Sequence, residues 1–289
     1  MLCKGLFMII NYTHRFAFIH IPKCAGTSVR NMLRPFDETN GKFARSNVRH
    51  RLLGRIDYGH IPLFILRQYF SKEYDKIKNY STFSAVRDPF ARFPSSLSQY
   101  LKMYGKDKIQ NMKTFEIKKT IDTTISFLLS HKDDYLPYQY IHFQKQIDFI
   151  YDGQERIVKN VYPVSYLPEM LIDIDNKLNT RFAEQAGSGN GRVNQTIVYR
   201  NAFVRNAVEV TKPVLKSFLG PESRKSLREK TAGFFFVPRD KKLKDIFDSF
   251  YVHDFIRDYY ASDIEFVYKL GSAKAEKADM DFRMEKDSV

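Results

Sequence analysis

From His20 to Ser28 the chain reads His-Ile-Pro-Lys-Cys-Ala-Gly-Thr-Ser, so a lysine, a glycine and two hydroxyls fall within one short run. Backbone amides at a helix start, a glycine that permits close approach, Lys23 and the hydroxyls of Thr27 and Ser28 compose a cradle for a phosphate-sized anion. Cys24, Ala25 and Gly26 complete that loop. The order differs from a nucleoside-triphosphate loop, in which the lysine follows the second glycine; here Lys23 precedes Gly26. Taken alone, the segment also reads as an ordinary strand-to-helix turn with a solvated lysine. A second run, Val86-Arg87-Asp88-Pro89, sets an arginine at a strand end, and Ser95 follows eight positions after Arg87, about two helical turns on. Arginine offers a planar fork to phosphate oxygens and a serine hydroxyl donates one more bond. Alone, Arg-Asp-Pro is equally a common helix-cap turn.

The two runs in this order resemble the Golgi-type and bacterial carbohydrate sulfotransferases related to the heparan and chondroitin O-sulfotransferases. The resemblance implies an α/β, P-loop-like nucleotide-binding fold and 3′-phosphoadenosine 5′-phosphosulfate (PAPS) as co-substrate. In that family the Pro-Lys-x-x-Gly-Thr loop binds the 5′-phosphosulfate. By this resemblance Lys23 supports the leaving phosphate oxygen, Thr27 and Ser28 match the phosphate-binding hydroxyls, and Arg87 and Ser95 hold the 3′-phosphate. Two weaker similarities extend it: Phe149 to Leu167 is similar to the family's strand before an acidic turn, and Tyr259 to Phe266 to its usual ending.

A sugar hydroxyl is a poor nucleophile and needs a base as the sulfuryl group arrives. His60, in Asp57-Tyr58-Gly59-His60-Ile61-Pro62, is the candidate. It lies between the two nucleotide runs, where the 2-O-sulfotransferases carry a His-Gly-His that includes the base. Tyr58 stands at the first histidine of that pattern, so the pairing is incomplete, and a buried turn histidine is the plain alternative. His20 reads as core or as support for the site; His131, His142 and His253 have no metal-ligand spacing. No metal is expected, because a sulfuryl group carries less charge than a phosphoryl group and a lysine can neutralise what develops. The Gly187–Gly191 stretch, Gly-Ser-Gly-Asn-Gly, precedes Arg192, Asn194 and Thr196; it reads as a mobile loop that closes over the nucleotide, with Arg192 binding it, or over the acceptor, or as a solvated loop.

These residues need elements to position them. Arg15 to Ile21 is an apolar run ended by Pro22 and reads as a strand, with a helix from Thr27 to Leu33. Thr82 to Val86 reads as a second strand, with Asp88-Pro89 opening a helix over Phe90 to Tyr104. Ile147 to Tyr151 reads as a third strand and Leu167 to Leu178 as the helix after it. Lys241 to Tyr260 has helical spacing. Alternating strands and helices imply a mostly parallel central sheet flanked by helices. The expected organisation is one catalytic domain over 1–270 and a charged, flexible tail over 271–289.

A length of 289 residues with 43% hydrophobic composition supports one substantial core. The formal charge of +14 draws anions: nucleotide, acidic glycan, nucleic acid or membrane surface. Two cysteines, Cys3 and Cys24, make a disulfide framework improbable and point to a reducing compartment. The apolar run before Asn11 is short for a membrane span, so the expectation is a cytoplasmic enzyme without a transmembrane segment, with peripheral membrane contact left open. The expected partner is a saccharide or glycoconjugate acceptor, with small alcohols and peptide tyrosine as further options; nucleic acid is not expected. Two rivals are a nucleotide kinase, which the position of Lys23 disfavours, and a non-enzymatic basic polyanion- or nucleic-acid-binding protein, which predicts steep salt dependence without transfer.

Overall fold

The computed structural model describes residues 8–105, 112–184, 197–199, 236–238 and 246–287. A four-stranded sheet organises them. It contains β1 (Ile9–Asn11), β2 (Phe16–Phe18) and β5 (Ser81–Val86), while the short β3 (Val48–His50) and β4 (Gly54–Ile56) lie apart as a hairpin. β2 pairs parallel with β5, which pairs parallel with the strand Asn160–Pro163, and β1 closes the other edge antiparallel. The α/β class and mostly parallel sheet therefore agree with the sequence reading.

β5 is central and nearly continuous in burial: Thr82 through Val86 are all buried, as expected of a strand covered on both faces. Its two hydroxyls are satisfied locally. Thr82 Oγ1 donates to the Ile157 carbonyl and accepts from the Lys159 amide, and Ser84 Oγ donates to the Ile19 carbonyl. Between the sheet strands run α1 (Gly26–Leu33), α2 (Leu63–Tyr69) and α3 (Ser71–Asn79). After β5 come α4 (Pro89–Tyr104) and α5 (Thr114–Ser130). Asp88 caps α4, its carboxylate accepting from the Phe90 amide at 3.1 Å, the role its sequence position implied.

One strand expectation fails. Ile147 to Tyr151 is a single 3-10 turn, Ile147–Phe149, leading into β6 (Tyr151–Asp152), which pairs antiparallel with β7 (Glu155–Arg156). The third parallel strand is β8 (Asn160–Pro163). The reason is where the backbone bonds go: the Asp263 carboxylate takes the amides of Gln146 and Ile147, and the Ile150 carbonyl accepts from both Ile157 and Val158. Of this run only Tyr151 enters a ladder, opposite Arg156.

Helix α6 (Leu167–Leu178) spans the residues expected. The chain closes with α7 (Phe250–Tyr259) and α8 (Ala261–Asp287); the stretch from Gly271 to Asp287, read above as tail, is the continuation of α8. Two apolar clusters result. One surrounds the sheet with Ile10, Phe16, Phe18, Phe83 and Ile174; the other joins α4, α5 and α7 through Phe93, Leu97, Ile121, Phe143 and Ile256. Among the described residues no helix is long and apolar enough to cross a membrane.

Candidate functional site

The parallel strands deliver their following loops to one edge of the sheet, where ligands of such sheets bind. After β2, Ile19 still donates to the Phe83 carbonyl, and the loop then turns through Lys23 (φ 67°) and Ala25 (φ 56°). Left-handed backbone at residues other than glycine costs about 1–2 kcal/mol each, so the surroundings must hold it. Between them Cys24 is buried, its thiol donating to Gln146 Oε1 at 3.1 Å, and burial pushes that thiol up to about 11. It is a packing group rather than a nucleophile. Gly26, Thr27 and Ser28 form the first turn of α1, which begins without a side-chain cap, so its amino-terminal amides and positive dipole end are available to an anion.

A buried polar girdle fixes this loop. Arg92, on α4 and fully buried, donates from Nε to the Pro22 carbonyl at 3.0 Å and from Nη2 to the carbonyls of His142 (3.3 Å) and Gln144 (2.8 Å). Its charge is answered by the buried Asp263 of α8 at 4.0 Å. Gln146 links the two anion-binding runs: its Oε1 accepts from Cys24 and from the Arg87 amide (2.9 Å), while its Nε2 donates to the Arg87 carbonyl (2.8 Å). The Lys23 loop and the Arg87 turn thus meet on one side-chain amide. The half-buried Arg87 and Ser95 make no side-chain hydrogen bond or ion pair among the described residues. Neighbouring Ser96 is committed to the His142 carbonyl at 2.8 Å. Arg192, Asn194, Thr196 and the Gly187–Gly191 stretch lie outside the described residues.

His60 is buried on the connection from β4 to α2, and it has imidazole neighbours. The ring centroids of His20 and His60 are 4.8 Å apart, and those of His60 and His142 are 5.5 Å apart. His60 Nδ1 lies 3.2 Å from the His20 carbonyl. A carbonyl only accepts, so that nitrogen carries the proton and Nε2 is the basic one. Burial lowers His60 to about 3, with Arg30, Arg92 and Lys23 acting in the same direction. His20 and His142 are also held neutral, first by burial and then by charges that include Lys23. Lys23 is therefore near enough to all three imidazoles to disfavour their charged forms. Upstream, burial raises Asp57 to about 6, opposed by bonds from the Gly59 amide and Ser46 and by Arg30.

The structure brings Lys23, Cys24, Ala25, Arg87 and His60 to one edge. Sequence reading missed His142 as a neighbour of His60, and missed Arg92, Gln146 and Asp263 altogether. Tyr58, at the position where the resemblance has a histidine, is buried with its ring 5.6 Å from Phe70 and beneath the Arg45 guanidinium; the imidazoles beside His60 come from elsewhere in the chain.

Searches of curated proteins and of solved structures return no match. The model of the sulfotransferase family matches residues 7–186, more than half of the chain and a span that takes in the Lys23 loop, His60, Arg87 and Ser95. The chain belongs to the sulfotransferase family.

Proposed function

We propose that the protein transfers a sulfuryl group from PAPS to a hydroxyl of a carbohydrate or glycoconjugate, on a P-loop-like fold, with Lys23 and His60 as its catalytic residues. The observation that carries this reading is the convergence of the Lys23 loop, the Arg87 turn and the neutral His60 on one electropositive edge. The donor set suits a nucleotide bisphosphate: an uncapped helix start, a lysine in a tight turn and a half-buried arginine without a partner among the described residues. Lys23, Cys24, Ala25, Gly26, Thr27 and Ser28 would hold the 5′ end, Arg87 and Ser95 the 3′-phosphate, and Arg192 would close over the nucleotide.

When bound, PAPS supplies sulfur already attached to a stabilised phosphate leaving group. His60 Nε2 takes the proton of the acceptor hydroxyl as that oxygen bonds to sulfur, and the Nδ1 contact with the His20 carbonyl keeps the ring oriented. Lys23 bears the charge left on the departing phosphate oxygen as the old S–O bond breaks. Burial is the main reason His60 is held near 3; a bound dianion would answer only the smaller part that Arg30, Arg92 and Lys23 add, and would raise its basicity by that part. Positioning and charge do most of the work, as in phosphoryl transfer.

The test is calorimetric titration with 3′-phosphoadenosine 5′-phosphate, with AMP as the comparator. Tight binding of the bisphosphate that is lost in Arg87→Ala is the expected result; equal affinity for the two nucleotides overturns the assignment.

A further inference from the structure

The hairpin of β3 and β4 stands apart from the central sheet, and its charge has one sign. From Lys42 to Ile56 the chain holds Lys42, Arg45, Arg49, Arg51 and Arg55 and neither aspartate nor glutamate. We propose that this hairpin docks the protein on an anionic phospholipid membrane, with Leu52 entering the headgroup boundary and the flanking arginines set among the lipid phosphates. The inference is independent of the reaction proposed above.

Three observations carry it. First, the arginines face outward with their charge unanswered. Arg45, Arg49, Arg51 and Arg55 are exposed, and among the described residues none forms an ion pair with a carboxylate. Arg45 lies over the Tyr58 ring and Arg55 donates to Asn47 Oδ1 at 2.9 Å, both neutral partners. Arg49 and Arg55 sit directly opposite each other across the pair; like charges so placed repel, and a layer of phosphates offsets that repulsion. The carboxylates flanking this stretch are committed elsewhere: Glu38 accepts from the Tyr12 and Thr13 amides, and the buried Asp57 from Gly59 and Ser46.

Second, the turn carries an apolar residue at its tip. Leu52 is 70% exposed, and the amides of Leu52 and Leu53 both donate to His50 Nδ1 at 3.3 Å, which fixes the turn. A lone exposed leucine is ordinary. One held at the end of a hairpin among arginines has the pattern of an interfacial anchor, apolar at the tip and cationic at the level of the headgroups. Third, the other face of the hairpin is braced on the body. The His50 ring packs edge-on against Tyr69 and lies 5.8 Å from Phe70, and Ile56 is buried, so Arg49 and Arg55, which alternate with these residues, turn outward. Beside the hairpin a cleft of about 660 Å³ is lined by its Asn47, Leu53 and Arg55 together with Tyr104, Tyr135 and Tyr138; docking would bring that cleft to the membrane surface.

The test is sedimentation of the full chain with vesicles of phosphatidylcholine, alone or with about one third phosphatidylserine, at physiological salt. The expected result is binding to the anionic vesicles and little to the neutral ones. Leu52→Ser should weaken that binding about tenfold and Arg51→Ser about fivefold, with the thermal midpoint unchanged because both side chains are exposed. The exposed Lys177 of α6 lies outside the hairpin, and Lys177→Ala should have no effect. The chain has no tryptophan, so Leu52→Trp supplies a lone reporter whose emission should shift to the blue on anionic vesicles. A soluble polyglucuronate separates a glycan from a membrane, since its binding should be the same in Leu52→Ser as in wild type. Equal binding to neutral vesicles, binding to neither, or an unshifted emission overturns the proposal. So does an unchanged vesicle affinity in Leu52→Ser, an equal loss in Lys177→Ala, or an equal loss of polyglucuronate binding in Leu52→Ser.

Discussion

The two sides of the site are built differently. On the donor side a fully buried arginine, a buried carboxylate and one glutamine tie the Lys23 loop, the Arg87 turn and the start of α8 together with hydrogen bonds of 2.8 to 3.3 Å. On the other side, about the cleft, the wall is a hairpin of two three-residue strands with Leu52 70% exposed at its turn. Its tie to Asp57 runs through Ser46. The difference teaches where rigidity is needed. Under the proposed reaction a leaving group must be met by a charge already in place, which the buried girdle provides for; the exposed Arg55 is held only by Asn47 Oδ1 at 2.9 Å.

The contrast can be broken most severely at Arg92. Arg92→Ala strands Asp263 without its cation and takes a donor from the carbonyls of Pro22, His142 and Gln144, of which His142 keeps Ser96, and should cost about 3–5 kcal/mol of stability in urea unfolding; a loss below about 1 kcal/mol would mean that the girdle does not hold the loop. Lys23→Ala sharpens it, because the expected loss is in turnover, about 10²–10³-fold in kcat, with the unfolding midpoint nearly unchanged. Retained activity would remove Lys23 from the reaction.

Acid probes the histidines between the two sides. Folded His60 sits near 3 against an ordinary value of 6.5, so the unfolded chain binds more protons between these values and stability falls as pH falls. From about pH 7 to about pH 5 His60 alone accounts for a loss of about 2 kcal/mol. Asp57 and Asp148, raised to about 6 by burial, take up protons in the folded state over the same interval and offset about 1 kcal/mol each. His20 and His142, also lowered by burial, act in the same direction as His60, so the acid loss of stability persists in wild type and thermal melts should show it shallower in His60→Gln. The smallest effect is expected on the hairpin: Arg49→Ser should change stability by no more than about 0.5 kcal/mol, and toward greater stability, since it relieves the repulsion from Arg55. A large loss there would show that the hairpin is as tightly built as the girdle around the Lys23 loop.

What the sequence made legible was local. Thr82 to Val86 is apolar enough to declare a buried strand, Asp88-Pro89 announces the start of α4, and Leu167 to Leu178 has the apolar spacing of the helix it forms. The Lys23 and Arg87 runs stood out because each packs its chemistry into a few residues. The failures were non-local. Ile147 to Tyr151 has the composition of a strand, but its amides are claimed by Asp263 across 116 and 117 residues. β8, only four residues long and ending at Pro163, offers little pattern to find. His142 carries no sign of its nearness to His60, and Gln146 none of its contact with Cys24, 122 positions away. Such contacts arise from topology, which a residue's neighbours in the chain do not encode.

That reach of Asp263 has a consequence in time. The Lys23 loop leaves the ribosome early, but its support through Gln146 and Arg92 is complete only when Asp263 has emerged, more than two hundred residues later. At about 5–20 residues per second, the loop waits on the order of ten seconds or more, with its left-handed turns unsupported, before α8 can dock. The nascent chain thus makes this loop long before it makes the carboxylate that completes the loop's support.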